Sequence, residues 1–364
     1  MSDSVLIICT SLNMGGSEKQ SVWLANKLVN ENKKVFFVSL KDSGILSTEL
    51  SSEVSVNNFK LKNAKNIFTK GVYFCIGILR LFKLVKHNKI NTTITFLFHS
   101  NVVGKLLKVL TRGKILHIAT FRSDRLSKRD SKISKIRTLI FKYFVLDRNT
   151  VVVFNSLSGR KNMELKNVNT KVIFNTPLNK PQNKNTEINN PKKLVFIGRF
   201  DELKNVKNIV LSITYLLNEN ITLDIYGKGP ELNAINYEIN KNNLVNKVKI
   251  KGIDLNISNN LSNYDALIIG STHDAFPNVL IEAMNAGVIP ISTRVGDCTW
   301  LLDDNRGIFI DGFDPNSISM AIKKFCDLDS EEKNKILSNG RKLVNTDLSE
   351  GKIFTEWSTL LYEN

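Results

Sequence analysis

Four short apolar runs in the second half of the chain, LVFIG, LDIYG, VKIKG and ALIIG, each end in glycine and are separated by stretches with helical spacing. Runs this short are too brief for helices and read as strands buried on both faces. Strands that alternate with helices assemble into parallel sheets covered on both sides. The first half repeats the pattern. VLIIC is followed by a loop with Met14, Gly15 and Gly16, then by a helical stretch with Val22, Ala25, Leu28 and Val29 on one face. Strand-like runs follow at 35–40, 93–97, 115–121 and 151–155, with helical patterns around 72–87, 101–110 and 133–146. The expected fold class is therefore α/β. Its 364 residues suit two domains better than one core. The polar text LNKPQNKNTEINN reads as the linker between them. This sets the domains at 1–178 and 191–349, with the linker over 179–190. Ligands of open parallel sheets bind beyond the carboxyl ends of the strands, so two such domains facing each other would share a cleft.

Composition narrows the class further. With 42% hydrophobic and 23% charged residues the chain is a folded protein, not a disordered or collagenous one. Its four cysteines, Cys9, Cys75, Cys298 and Cys326, form no C-x-x-C pair, which points away from zinc and redox motifs and towards a reducing cytoplasm. The opening MSDSVLIICTSL lacks the cations of a signal peptide, and the longest uncharged apolar stretch, 71–79, is far below the ~20 residues that cross a bilayer. The expected location is cytoplasmic, peripheral on the inner face of the cell membrane. Residues 1–180 hold 31 Lys+Arg against 10 Asp+Glu, a net +21, whereas residues 181–364 hold 20 against 24, a net −4. Something anionic is expected to meet the first half, and charge alone does not choose among lipid, lipid diphosphate and nucleic acid. Within that half, residues 131–148 combine Ile133, Ile136, Leu139, Ile140 and Phe144 with Lys132, Lys135, Arg137 and Lys142, which fits a helix lying on anionic lipid as well as it fits a core helix with a solvated basic side.

Chemistry concentrates in the second half. In HDAFPNVLIEAMNAG, Pro277 suits the first turn of a helix and Gly287 its end. Glu282 lies inside that apolar helix, and Val279, Asn285, Asn278 and Ala286 one turn away include no cation. An isolated Glu is more often a solvated helix charge. A buried carboxylate needs another partner, and a pair of ligand hydroxyls is one candidate. Asp274 stands eight positions earlier, in the loop at the mouth of the helix, where an acid alone would read as an N-cap. The intervening helix N-terminus offers amides to phosphate or sugar oxygens. Arg199 and Lys204 fall in one βα turn after LVFIG, where a fork and a point charge together could neutralise a diphosphate; solvated loop cations are the plain alternative. Gly227 and Gly229 in YGKGP allow close backbone approach, a weak signal alone. The D-x-D string of Asp327 and Asp329 reads as surface acid near a helix start, so no metal site is expected.

Taken in order, GGSEK, GRFDELKN, IYGKGPEL, VKIKG and DAFPNVLIEAMNAGVIPISTRVGD resemble the retaining glycosyltransferases of family 4, which have the GT-B fold of two Rossmann-like domains facing across a cleft. The resemblance spans nearly the whole chain, more loosely in the first half beyond GGSEK. It implies that Glu282 binds the ribose hydroxyls and Asp274 the hydroxyls of the transferred sugar, with Asp standing where the family usually has Glu. It brings backbone amides of Phe276, Pro277, Asn278, Val279 and Leu280 to the sugar and diphosphate. Gly198 and Gly227 join the donor site, Arg199 and Lys204 hold the diphosphate and stabilise the leaving group, and Ile253 lies beside the base. Gly15 and Gly16 would close over the phosphates, and His99 in FLFHSN would stand near the reacting sugar. The segment 350–364, with Phe354, Trp357, Leu360 and Leu361 at helical spacing, would pack back on the first domain.

The implied donor is a UDP-linked sugar, with no cofactor or metal, and the implied acceptor is a saccharide, lipid-diphosphate-linked or other, in surface-polysaccharide assembly of the capsule or O-antigen type. The basic half would then meet an anionic membrane surface. Two rivals differ in class: a GT-B nucleotide-sugar epimerase, which needs no acceptor, and a basic nucleic-acid-binding protein, for which no aromatic platform or nucleic-acid motif speaks.

Overall fold

The computed structural model describes residues 4–13, 15–41, 44–59, 66–122, 136–137, 139–147, 149–163, 165, 167–181 and 191–362. The chain divides into two compact units. One comprises Met1–Asn175 with Ile353–Asn364, and the other Thr176–Lys352.

The N-terminal unit is built on seven parallel strands: β1 (Ser4–Cys9), β2 (Lys34–Ser39), β3 (Ser55–Asn58), β4 (Thr92–Phe96), β5 (Leu116–Phe121), β6 (Thr150–Phe154) and β7 (Asn169–Val172). Their order is β3-β2-β1-β4-β5-β6-β7, with Val5 paired to Val35 on one side and Thr92 on the other. All six residues of β1 are buried because the strand is central and covered on both faces. Alternation along it sorts the helices. Val5, Ile7 and Cys9 join Leu24, Ala25 and Leu28 of α1 (Gly16–Asn30). Leu6 and Ile8 join Ile78, Leu81 and Val85 of α2 (Ile67–His87) and Val103 and Leu107 of α3 (Phe98–Leu110). Farther along this second face, Ala119 and Phe121 of β5 meet Phe141 and Val145 of a π-helical segment, Ile140–Val145. The short helix α4 (Leu157–Met163) precedes β7.

The C-terminal unit carries six parallel strands, β8 (Lys192–Ile197), β9 (Ile221–Tyr226), β10 (Val248–Gly252), β11 (Ala266–Ile269), β12 (Ile289–Thr293) and β13 (Ile308–Ile310), in the order β10-β9-β8-β11-β12-β13. Its helices are α5 (Val206–Ser212), α6 (Leu232–Lys241), α7 (Asn278–Ala286), α8 (Cys298–Leu302), α9 (Pro315–Asp327) and α10 (Ser330–Thr346). The last helix, α11 (Glu350–Tyr362), leaves this unit, and its Ile353, Trp357 and Leu360 are buried in the N-terminal core beside Phe96. Each sheet reverses direction beside its first strand, between β1 and β4 and between β8 and β11, and such switch points are where doubly wound sheets take ligands.

Val206, Ile209, Val210, Ile213 and Leu217 keep helical spacing in the sequence, but α5 is shorter than that spacing suggests. It tightens at Ile213–Leu216 into a 3₁₀ turn, and three residues per turn swing Leu216 inward and leave Leu217 exposed. The pattern around 133–146 does not form one regular α-helix either. Residues 131–135, 138 and 148 lie outside the described ones, and the π geometry of 140–145 turns Phe141 and Val145 inward while Tyr143 and Phe144 face outward. The linker read over 179–190 begins with a packed residue, because Asn179 is only 5% exposed; residues 182–190 lie outside the described ones.

Candidate functional site

The carboxyl end of the C-terminal sheet gathers the loops after β8, β9, β10 and β11. Backbone approach there is close enough to require glycine. Gly227 has φ of 145°, its amide donates to the Gly252 carbonyl at 2.6 Å, and a Cβ on it would overlap the Gly198 carbonyl oxygen. The loops after β8, β9 and β10 are thereby pressed into one layer. Ile253, next after Gly252, is 48% exposed and presents an apolar edge beside it.

Arg199 and Lys204 both sit in the turn after β8, and both are held by carboxylates. Arg199 is paired with Asp201, while the other Asp201 oxygen accepts the Lys204 amide at 3.1 Å. Asp201 thus fixes the turn as well as the guanidinium. The Lys204 ammonium reaches across to Asp274 in the loop after β11, a direct ion pair between two partly buried side chains. That contact joins the two loops flanking the switch point. Asp274 is positioned from behind as well. Gly296 adopts φ of 50°, and a Cβ there would overlap the Asp274 carbonyl, while Asp297 donates its amide to the Ala275 carbonyl at 2.9 Å. Burial pushes the thiol of Cys298 up to about 12, with the charge of Asp274 acting in the same direction, so this sulfur stays a neutral wall of the site.

From Asp274 the chain runs into α7. Pro277 is its N-cap and Gly287, at φ of 72°, ends it in the left-handed conformation. Phe276 and Leu280 are buried, so what they offer a ligand is backbone. The Leu280 amide is already committed, donating to the Pro277 carbonyl at 3.1 Å. Glu282 is only 6% exposed, and its Oε2 accepts a hydrogen bond from Ser258 Oγ at 2.8 Å. Ser258 lies in the 3₁₀ segment Ile257–Asn263 after β10. The helix is anchored at the same residue through its main chain. Asn179 Nδ2 donates to the Glu282 carbonyl at 2.9 Å, and Asn285 Nδ2 returns a bond to the Asn179 carbonyl at 2.8 Å.

Sequence spacing did not point to Ser258, Asn179 or Gly296. Ser258 and Asn179 act across 24 and 103 residues, a separation that no local pattern records. Gly296 stands inside the quoted STRVGD text, and its left-handed role follows from the Asp274 carbonyl behind it. Asp329, read as surface acid, caps α10 in a reciprocal box with Glu332, and Asp327 pairs with Lys323 at 3.1 Å.

In the N-terminal unit, Gly15 is the N-cap of α1; Met14 lies outside the described residues. The Glu18 carboxyl folds back over Gly15 so closely that a side chain there would meet it, and burial raises Glu18 above the usual carboxylate range. His99, in the first turn of α3 after β4, is lowered by partial desolvation and then by Arg137 and Lys41, which keeps its ring neutral near pH 7. Arg122, just past β5, was not among the sequence candidates. Its guanidinium donates to Asn175 and lies 4.9 Å from the Phe96 ring centroid and 6.0 Å from that of Trp357.

Two doubly wound parallel units, each with candidate groups at the carboxyl ends of its strands, have the architecture of the GT-B fold. Residues 179–343, within the C-terminal unit, match the family model described as glycosyl transferases group 1. The chain is 24% identical to GalNAc-alpha-(1->4)-GalNAc-alpha-(1->3)-diNAcBac-PP-undecaprenol alpha-1,4-N-acetyl-D-galactosaminyltransferase of Campylobacter jejuni, over 99% of this chain and 98% of that one. It is 26% identical to the lipopolysaccharide core biosynthesis glycosyltransferase LpsD of Rhizobium meliloti over 44% of this chain, and that match spans only 46% of the relative. Among solved structures, Anabaena HepE in complex with UDP and glucose superposes with a TM-score of 0.81 at 15% identity, covering 98% of each chain, which shows a shared fold.

Proposed function

We propose that the protein is a metal-independent, retaining glycosyltransferase of family 4. It transfers a sugar from a nucleotide donor, UDP-linked, to a saccharide acceptor carried on lipid diphosphate, in lipopolysaccharide, O-antigen or capsule assembly, and it works as a peripheral protein on an anionic membrane. The observation that carries this reading is the Lys204–Asp274 pair at the mouth of the helix that buries Glu282.

Each group has a task that its surroundings suit. Ser258 holds one oxygen of Glu282, leaving Oε1 to take the ribose hydroxyls. Asp274, gripped by Lys204 and backed by Gly296, accepts hydroxyls of the transferred sugar. Breaking the anomeric C–O bond builds negative charge on the departing diphosphate and positive character on the sugar. Lys204, Arg199 and the amides opening α7 are fixed before that charge appears, and preorganised donors of this kind lower the barrier without needing to reorient. The acceptor oxygen bonds to the anomeric carbon on the face the phosphate leaves, and its proton passes to the phosphate oxygen.

Incubation with a panel of nucleotide sugars, with and without a membrane extract, tests the reading. The expected result is acceptor-dependent release of nucleoside diphosphate that survives chelator, with the anomeric configuration of the donor kept in the product. Acceptor-independent conversion of one nucleotide sugar into its epimer would overturn it, as would no turnover together with steeply salt-dependent nucleic-acid binding.

A further inference from the structure

The helix α2 exposes an apolar outer face. Ile78, Leu81 and Val85 point into the core. On the opposite side Phe68, Val72, Ile76 and Leu79 recur at three- and four-residue intervals, 77%, 44%, 40% and 59% exposed. Arg80, Lys83 and Lys86 are exposed among them, and the helix carries no carboxylate. The absence of acid extends well beyond the helix, since from Val54 to Ser123 the sequence contains no Asp or Glu.

A solvated helix face is polar, and a protein-binding face is depleted in lysine. Bulky apolar groups interleaved with cations, and with no anion among them, match the boundary between acyl chains and anionic headgroups, where the rings and aliphatic chains sink and the lysine stems reach back to the phosphates. Nucleic acid would use the charge but gain little from Phe68, Val72 or Leu79. A second copy of the chain would oppose like charges. No helix among the described residues is long and apolar enough to cross a membrane, so α2 would lie on it. The π-helical segment lies on the same side of the sheet, with α3 packed between it and α2; it exposes Tyr143 and Lys142, and Leu139 just before it is exposed as well.

We infer that the outer face of α2 is the docking surface of this protein for an anionic lipid bilayer, with the π-helical segment as its outlying contact. This rests on the peripheral placement proposed above and puts its main contact on α2, with the 131–148 stretch weighed in the sequence contributing only through its π-helical part.

The test is cosedimentation of the full chain with vesicles of phosphatidylcholine alone and of phosphatidylcholine mixed with phosphatidylglycerol, alongside UDP affinity as a check of folding. The wild type is expected to bind the mixed vesicles, to lose binding as salt rises, and to bind the neutral ones weakly. Arg80→Glu with Lys83→Glu should cut partitioning at least tenfold, at roughly fivefold per charge removed. Phe68→Ser with Leu79→Ser should cut it by a comparable factor, since each substitution removes apolar surface from the acyl boundary. UDP affinity should not change in either. Lys335→Glu with Lys342→Glu, the same charge change on exposed positions of α10, should leave vesicle binding intact. If the wild type ignores both vesicle types, the docking surface and the membrane placement both fall, while the transferase reading stands on the turnover assay. If the wild type binds and the α2 variants bind as well, or the α10 variant loses as much, the assignment to α2 is wrong.

Discussion

In the C-terminal unit the cations assigned to the donor are already held by acids, Arg199 by Asp201 and Lys204 by Asp274. The N-terminal unit has the same strand order around its first strand, yet α2 carries four cations and two exposed aromatic rings with no acid beside them in sequence. Where the N-terminal unit does pair charge, it does so for structure: Asp147 binds Lys105 at 2.6 Å and Lys108 at 2.7 Å, next to Thr150 at the start of β6. The contrast separates two uses of basicity. A cation that must meet developing charge at one point needs a fixed position, and a neighbouring carboxylate supplies it. A cation that meets a diffuse anionic surface needs only exposure and company of the same sign.

The sharpest break of that comparison is Lys204→Ala. It removes the leaving-group charge and strands Asp274, and turnover is expected to fall by about two to three orders of magnitude, the range seen when one preorganised donor is lost. Steady-state kinetics should show the fall mainly in kcat. Glu282→Ala comes next. Losing a carboxylate that accepts ribose hydroxyls should weaken UDP binding by roughly 2–3 kcal/mol, readable by calorimetry. Should both variants match the parent, the charges of this unit would be structural and the contrast would collapse.

In the other unit, Asp147→Asn leaves the buried Lys108 without its counter-ion. The expected loss of stability is on the order of 2 kcal/mol, below the fully buried range because Asp147 is partly exposed. Its dependence on pH has a definite sign. The two lysines and Thr150 hold the Asp147 carboxyl well below the usual range despite its partial burial. Its contribution is therefore complete above the unfolded value of about 3.9 and is lost as pH falls towards the lower folded value. Thermal melts of variant and parent should differ at pH 7 and converge in acid. The smallest effect is Ser258→Ala, expected to weaken UDP binding by about 1 kcal/mol with kcat retained, since it only orients Glu282.

How much of this was legible beforehand follows from burial. The central strands announce themselves because both faces are covered, so VLIIC, LVFIG and ALIIG are continuous apolar runs. The edge strands β3 and β7 read SVNN and NTKV, half-exposed and polar, and nothing in them distinguishes strand from loop. At the site, Asp274 and Glu282 were visible because they share one loop and helix and break its apolar pattern. That Lys204 would face Asp274 follows from β8 and β11 being neighbours in the sheet, which the order of motifs implies only once the fold is known. Ser258 has no such signature, being one of two serines among four asparagines in the stretch from Leu255 to Tyr264.

The bonds that tie Asn179 to α7 bear on where this unit begins. The polar text ahead of β8 invites a cut near residue 191, yet a fragment started there would lack the amide that seats the helix beneath Glu282, and also the Thr176 hydroxyl that bonds the Leu348 carbonyl at 2.9 Å. A fragment meant to keep α7 seated should open at or before Thr176, because those few residues belong to the packing of this unit although they precede its first strand.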